Sequence, residues 1–136
     1  MKRRRSREYA LQLLFQSEFA GENQELLPPE PFPANEKEEK ELKKFADELV
    51  SGTLGNIEEI DRAIQKAAEN WEVKRMAAVD RNILRFAVFE ILFRKDIPSA
   101  VTINEALEIA KKYSTLESAA FINGLLDKIA RERGKA

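Results

Sequence analysis

From Val79 to Phe93 the chain reads Val-Asp-Arg-Asn-Ile-Leu-Arg-Phe-Ala-Val-Phe-Glu-Ile-Leu-Phe, and no other stretch restricts the fold as much. On a helical wheel Phe86, Phe89 and Phe93, with Val79, Ile83, Leu84, Val88, Ile91 and Leu92, put apolar side chains on nearly every side. A helix of that kind has to be surrounded by protein. Asp80, Arg81, Arg85 and Glu90 interrupt the run, whereas a bilayer span needs about 20 apolar residues in succession. The segment is therefore expected to be the central post of an all-helical domain, opening near Arg75 to Val79 and closing at Arg94 and Lys95, whose charges suit a helix C-terminus.

Segments with one apolar stripe flank this post. A first helix is expected from about Arg3 to Phe19, through Ala10, Leu11, Leu14, Phe15 and Phe19. Residues 21–36 carry Pro28, Pro29, Pro31 and Pro33, which remove backbone donors and disfavour helix before each proline, so a flexible surface connection is expected there. Leu42, Phe45, Ala46, Leu49 and Val50 then repeat at helical spacing, with Gly52 as the expected stop. Asn56 is placed to cap a third helix running through Ile57, Ile60, Ile64, Ala67 and Trp71. Beyond the break at Asp96-Ile97-Pro98, Thr102 to Glu105 has the spacing of a capping box for a fifth helix, and Ser114 to Glu117 repeats it for a sixth. Phe121, Ile122, Leu125, Leu126 and Ile129 give the sixth its stripe, and Arg131 to Ala136 is expected to fray. Gly124, inside that helix, predicts a close backbone approach, because glycine there costs up to about 1 kcal/mol relative to alanine. The expected fold is all-α, a single domain over 1–136 built as a bundle of about six helices.

The chain has no cysteine and no histidine. That removes disulfides, thiolate metal sites, and the Cys-His and Ser-His routes to covalent catalysis. No metal site, cofactor or catalytic residue is expected. The absence of a signal-peptide pattern or membrane span points to a soluble, cytoplasmic protein. The formal net charge of −1 conceals an asymmetry. Lys2, Arg3, Arg4, Arg5 and Arg7 crowd the start, and the rest carries 18 basic against 24 acidic residues. A basic arm on an acidic body suits a polyanion for the arm and a basic protein for the body.

Cations are misplaced at a helix N-terminus, where each exposed one costs roughly 0.3–1 kcal/mol. Binding accounts for them better than stability does, since arginine grips phosphate through two parallel hydrogen bonds and stacks on unpaired bases. The bland alternative is a solvated run that aids solubility. By its place in the stripe with Leu11 and Leu14, Phe15 reads as core, while Tyr9 stays open between core and stacking surface. Asp80 has its own bland reading as an acid in a helix's first turn, and Phe121 reads equally as core or as stacking surface.

Two blocks, Asp96-Ile-Pro-Ser-Ala-Val-Thr-Ile-Asn-Glu-Ala-Leu-Glu-Ile-Ala-Lys-Lys-Tyr113 and Ser118-Ala-Ala-Phe-Ile-Asn-Gly-Leu-Leu-Asp-Lys128, resemble the NusB family of bacterial transcription antitermination factors. Arg3-Arg-Arg-Ser-Arg-Glu-Tyr-Ala10 resembles the arginine-rich motif that opens that family, and Val79 to Arg85 resembles the start of its central helix. The resemblance spans nearly the whole chain and is weakest over 21–36. It implies two packed helical subdomains and an adaptor that binds single-stranded boxA-type RNA of ribosomal RNA leader transcripts. It further implies pairing with the ribosomal protein NusE and docking on RNA polymerase. By position it assigns RNA contact to Arg3, Arg4, Arg5, Arg7 and Phe15, the last against the core reading above. A second RNA-facing region falls on Glu117, Ser118, Phe121 and Asn123, and a NusE-facing surface on Asp80, Arg81 and Arg85. Homodimer formation, which the family permits, is left open. Two rivals are an RNA methyltransferase, for whose cofactor domain this length with five glycines leaves no room, and a protein-only interaction module with an idle arm.

Overall fold

The computed structural model describes residues 2–18 and 36–133. Among them the chain forms six α-helices and one 3-10 turn, with no strand. The helices are α1 (Lys2–Glu18), α2 (Glu36–Gly55), α3 (Ile57–Ala68), α4 (Ala78–Phe93), α5 (Ser99–Tyr113) and α6 (Leu116–Glu132), and the 3-10 turn (Val73–Arg75) precedes α4. The expected flexible connection over 21–36 lies outside the described residues except for Glu36, as does the end of the tail.

The central post is α4, which packs against every other α-helix. Around it α5 pairs with α6 and α1 with α2. Ile83, Leu84, Phe86, Ala87, Val88 and Ile91 are fully buried and join Leu14, Leu49, Ile60, Ile64, Ile109, Ile122 and Leu126 in one continuous hydrophobic cluster. Each large apolar side chain withdrawn from water there contributes about 1.5–3 kcal/mol.

Several sequence signals for helix ends are overridden by packing. Gly52 does not stop α2, which runs on to Gly55. A Cβ at Gly52 would fall inside the Phe89 ring, so this is the glycine that permits a close helix approach. Around Gly124, by contrast, a Cβ would meet nothing within 4 Å, and the close approach expected there is absent. Asn56 makes no side-chain cap, its amide donating instead to the Gly52 carbonyl at 2.8 Å. The fifth helix begins at Ser99, after Pro98 and ahead of the expected box, and within it Thr102 and Glu105 turn their side chains to tertiary partners instead of capping. The last cap is shifted by one residue: Thr115 Oγ1 accepts from the Ser118 N–H at 2.9 Å. Trp71 lies beyond the end of α3, where Glu69 takes up a left-handed conformation (φ 46°). It is not core but 60% exposed.

Candidate nucleic-acid interface

The basic run forms the first turns of α1 rather than an arm projecting from the body, and its arginines have different fates. Arg7 is 2% exposed and donates through Nε and Nη2 to both carboxylate oxygens of Glu90, at 2.8 and 2.7 Å, on a residue that is itself fully buried. Thr102 Oγ1 completes the site by donating to Glu90 Oε1 at 2.8 Å. Arg4 forms a two-pronged pair with Glu105, at 3.0 and 2.7 Å. The hydrogen bonds from Arg4 hold the Glu105 carboxyl below its ordinary value against the opposing effect of burial. Arg3 is exposed, with its guanidinium 4.3 Å from the centre of the Phe45 ring, and those of Arg7 and Arg94 approach the same ring at 5.4 and 5.5 Å. Arg5 is half-buried and forms no ion pair among the described residues; its Nε has no hydrogen-bond partner. Arg3 and Arg5 are therefore the arginines of the run best able to meet an outside phosphate, whereas Arg7 is a buried brace.

The second region forms where α6 begins. Asp80, 8% exposed, accepts from Ser114 Oγ at 2.7 Å and from Ser118 Oγ at 2.8 Å, tying the start of α4 to the α5–α6 junction. Glu117 and Asn123 are exposed, while Phe121 is half-buried and meets Trp71 edge to face at 6.0 Å between ring centres. These rings, with Arg75, Asp80, Glu117 and Ser118, line a groove of about 310 Å³. The structure thus brings Glu117, Ser118 and Phe121 together and adds Trp71 and Arg75, which the sequence reading missed. The Glu69-Asn70 break was the available signal, because it separates Trp71 from the stripe of α3.

Phe15 is half-buried on α1 and lines, with Tyr113 and Val79, a smaller cavity of its own. Tyr9 is half-buried too.

Arg81 and Arg85 occupy a different face. Both reach Glu18 at the end of α1, Arg81 through Nε at 2.9 Å and Nη2 at 2.7 Å; Arg85 also pairs with Asp61 at 2.9 Å. Arg81 Nη1 further donates to the Met76 carbonyl at 2.6 Å. The hydrogen bonds from Arg81 keep the Glu18 carboxyl below its ordinary value. The polar start of α4, where the resemblance implies a surface facing NusE, is thus largely engaged within the molecule. Arg81 and Arg85 still edge an open cavity of about 760 Å³ with Asp61, Arg62 and Lys74.

Comparison with known proteins gives this arrangement its relatives. The sequence profile of the NusB family matches residues 4–131. The transcription antitermination protein NusB of Thermodesulfovibrio yellowstonii is 51% identical over 97% of this chain and 93% of its own length. That of Desulfitobacterium hafniense is 53% identical, over 99% and 92%. Among solved structures, NusB of T. maritima superposes with a TM-score of 0.75 at 40% identity, covering 96% of this chain and 91% of that one. A NusB chain crystallised with NusE and double-stranded RNA does so at 0.74 and 25% identity, covering 96% and 97%. The chain belongs to the NusB family.

Proposed function

We propose that this chain is a transcription antitermination factor that binds boxA-type RNA of ribosomal RNA leader transcripts together with NusE and helps assemble the antitermination complex on RNA polymerase. Its part is that of an adaptor, with no catalytic step. The observation that carries the reading is a cation followed by two aromatic-walled hollows. Arg5 stands in the α1 row of Glu8 and Gln12, which line the cavity with Phe15 and Tyr113; Val79 of that cavity is followed in the chain by Asp80, which lines the Trp71–Phe121 groove, while Arg3 lies on the other side of α1 against Phe45. Such a path gives a single strand phosphate partners first and stacking surfaces further on. The relatives' shared name and the solved NusB–NusE–RNA complex support the same reading.

The remaining assigned residues take distinct parts. Arg4 and Arg7 orient the helix that carries Arg3 and Arg5. Ser118 positions Asp80 beneath the groove and Glu117 lines it, whereas Asn123, two residues beyond Phe121 on α6, is exposed outside it. The open cavity beside Arg81 and Arg85 is where a basic partner such as NusE can reach the acidic residues Glu58 and Asp61. Two weak contacts on one rigid scaffold strengthen each other. The test is a titration of boxA-like RNA with and without NusE. An Arg3→Glu, Arg5→Glu variant is expected to lose RNA binding while keeping its helicity and melting temperature. Unchanged RNA affinity in that variant would leave a protein-only module as the better description.

A further inference from the structure

The cavity beside Tyr113 measures about 210 Å³ and is lined by Glu8, Leu11, Gln12, Phe15, Val79 and Tyr113. Its walls are apolar and partly aromatic, and its polar groups lie along one helix face. Arg5, Glu8 and Gln12 are spaced i, i+3 and i+7 on α1, so their side chains form a single row. Glu8 Oε2 accepts from the Tyr113 hydroxyl at 2.6 Å and from Lys112 Nζ at 2.9 Å, which fixes the tyrosine ring as a wall. Glu8 Oε1 has no donor among the described residues. Although burial pushes the Glu8 carboxyl upward, the hydrogen bonds from Tyr113 and Lys112 bring it below its ordinary value, so the free oxygen is a charged acceptor at neutral pH.

An apolar slot with aromatic walls, one acceptor and one amide fits a planar ring whose edge carries a donor next to an acceptor. That is the Watson–Crick edge of an unpaired nucleobase. We propose that this slot receives one extruded base of the bound single strand, with Gln12 and Glu8 Oε1 meeting its edge while Arg5 holds the adjoining phosphate. The inference rests on the RNA-binding reading above and adds a specificity-determining position to it. The neighbouring geometry gives the strand its continuation: Val79 lines the slot and the next residue, Asp80, lines the Trp71 groove.

An abasic scan tests the assignment. A short single-stranded boxA-like RNA is made as a set in which each nucleotide in turn lacks its base, and each member is titrated against the full chain and against Gln12→Ala. Gln12 is exposed, so the variant keeps its fold. A base held by stacking between side chains is worth about tenfold or more in affinity. The wild-type protein is therefore expected to lose about tenfold at one position that matches the slot. Gln12→Ala is expected to weaken the intact RNA about fivefold and to shrink the penalty at that position alone. Tyr113→Ala, which removes a wall, should act at the same position. Tight wild-type binding with the same abasic profile in all three proteins overturns the slot and leaves the RNA reading standing. No binding of the intact RNA by the wild type, alone or with NusE, overturns both.

Discussion

Arg5 and Arg7 are two residues apart in one run, yet removing each should have opposite consequences. Arg7→Ala strands the fully buried Glu90 carboxylate without its cation, and breaking a buried pair from one side typically costs about 3–5 kcal/mol. Arg5→Ala removes a half-buried guanidinium with no ion pair among the described residues, and is expected to cost less than about 0.5 kcal/mol. Urea unfolding and RNA titration of both variants should therefore separate: Arg7→Ala loses stability, and Arg5→Ala loses RNA affinity at unchanged stability. Equal stability losses would contradict this division. The run itself does not reveal which arginine is buried, because Arg7 is matched to Glu90 across 83 positions and Arg4 to Glu105 across 101. The sequence shows a cluster of cations; only the packing of α1 on α4 and α5 sorts it. Asp80 is a similar case: it reads as a first-turn acid, and its two serine partners become visible only when the α5–α6 junction folds back over it.

At the scale of helices, apolar periodicity gave the number and order of elements, because the stripes on α2, α3 and α6 are long and regular. Ends were less legible. The residues that look like caps, Asn56 and the Thr102–Glu105 pair, are used elsewhere in the structure, and tertiary contacts outweigh a cap worth about 1 kcal/mol. Glycines were misassigned for a related reason, since sequence shows a glycine's permissiveness without showing what stands opposite it. The paired substitutions make the distinction measurable. Gly52→Ala forces a methyl group into the Phe89 ring at the α2–α4 contact, and overpacking of this kind is expected to cost about 1–3 kcal/mol. Gly124→Ala places its methyl group in open space on a helix surface and is expected to stabilise by up to about 1 kcal/mol. Thermal melts moving in opposite directions would support the assignment; a harmless Gly52→Ala would show that α2 and α4 are not held as closely as described.

The molecule as a whole is laced by arginine–carboxylate pairs that join α1 to the rest, and this predicts how it responds to acid. Hydrogen bonds from Arg81 to Glu18 and from Arg4 to Glu105 lower both carboxyls below their unfolded value of 4.5. Groups with depressed folded values contribute their full stability above the unfolded value and lose it as pH falls through the folded one. Unfolding free energy should thus stay level in its contribution from these pairs down to about pH 5 and decline below pH 4.5. A Glu18→Gln, Glu105→Gln variant should be less stable at neutral pH and show a shallower decline in acid. An identical acid slope in wild type and variant would remove these pairs from the explanation.

The same lacing limits how much of the basic run RNA can use. For a single strand, log affinity falls with log salt by about 0.7 per phosphate neutralised. With Arg7 buried on Glu90 and Arg4 held by Glu105, Arg3 and Arg5 are the arginines that remain, and the arginines of the run are expected to contribute about −1.4 to the slope. Drawing Arg4 away would leave Glu105, whose side chain is 4% exposed, charged in a buried setting with only Arg7, at 3.8 Å and already committed to Glu90, to compensate it. RNA therefore has to compete with an internal carboxylate for that arginine. Glu105→Gln weakens the competitor while keeping its size, so the variant should bind boxA-like RNA more tightly and with a slope steeper than wild type by about 0.7. Titrations across a salt series read both quantities at once. A variant with tighter binding but the wild-type slope would mean that Glu105 acts through general repulsion of the RNA rather than by holding Arg4.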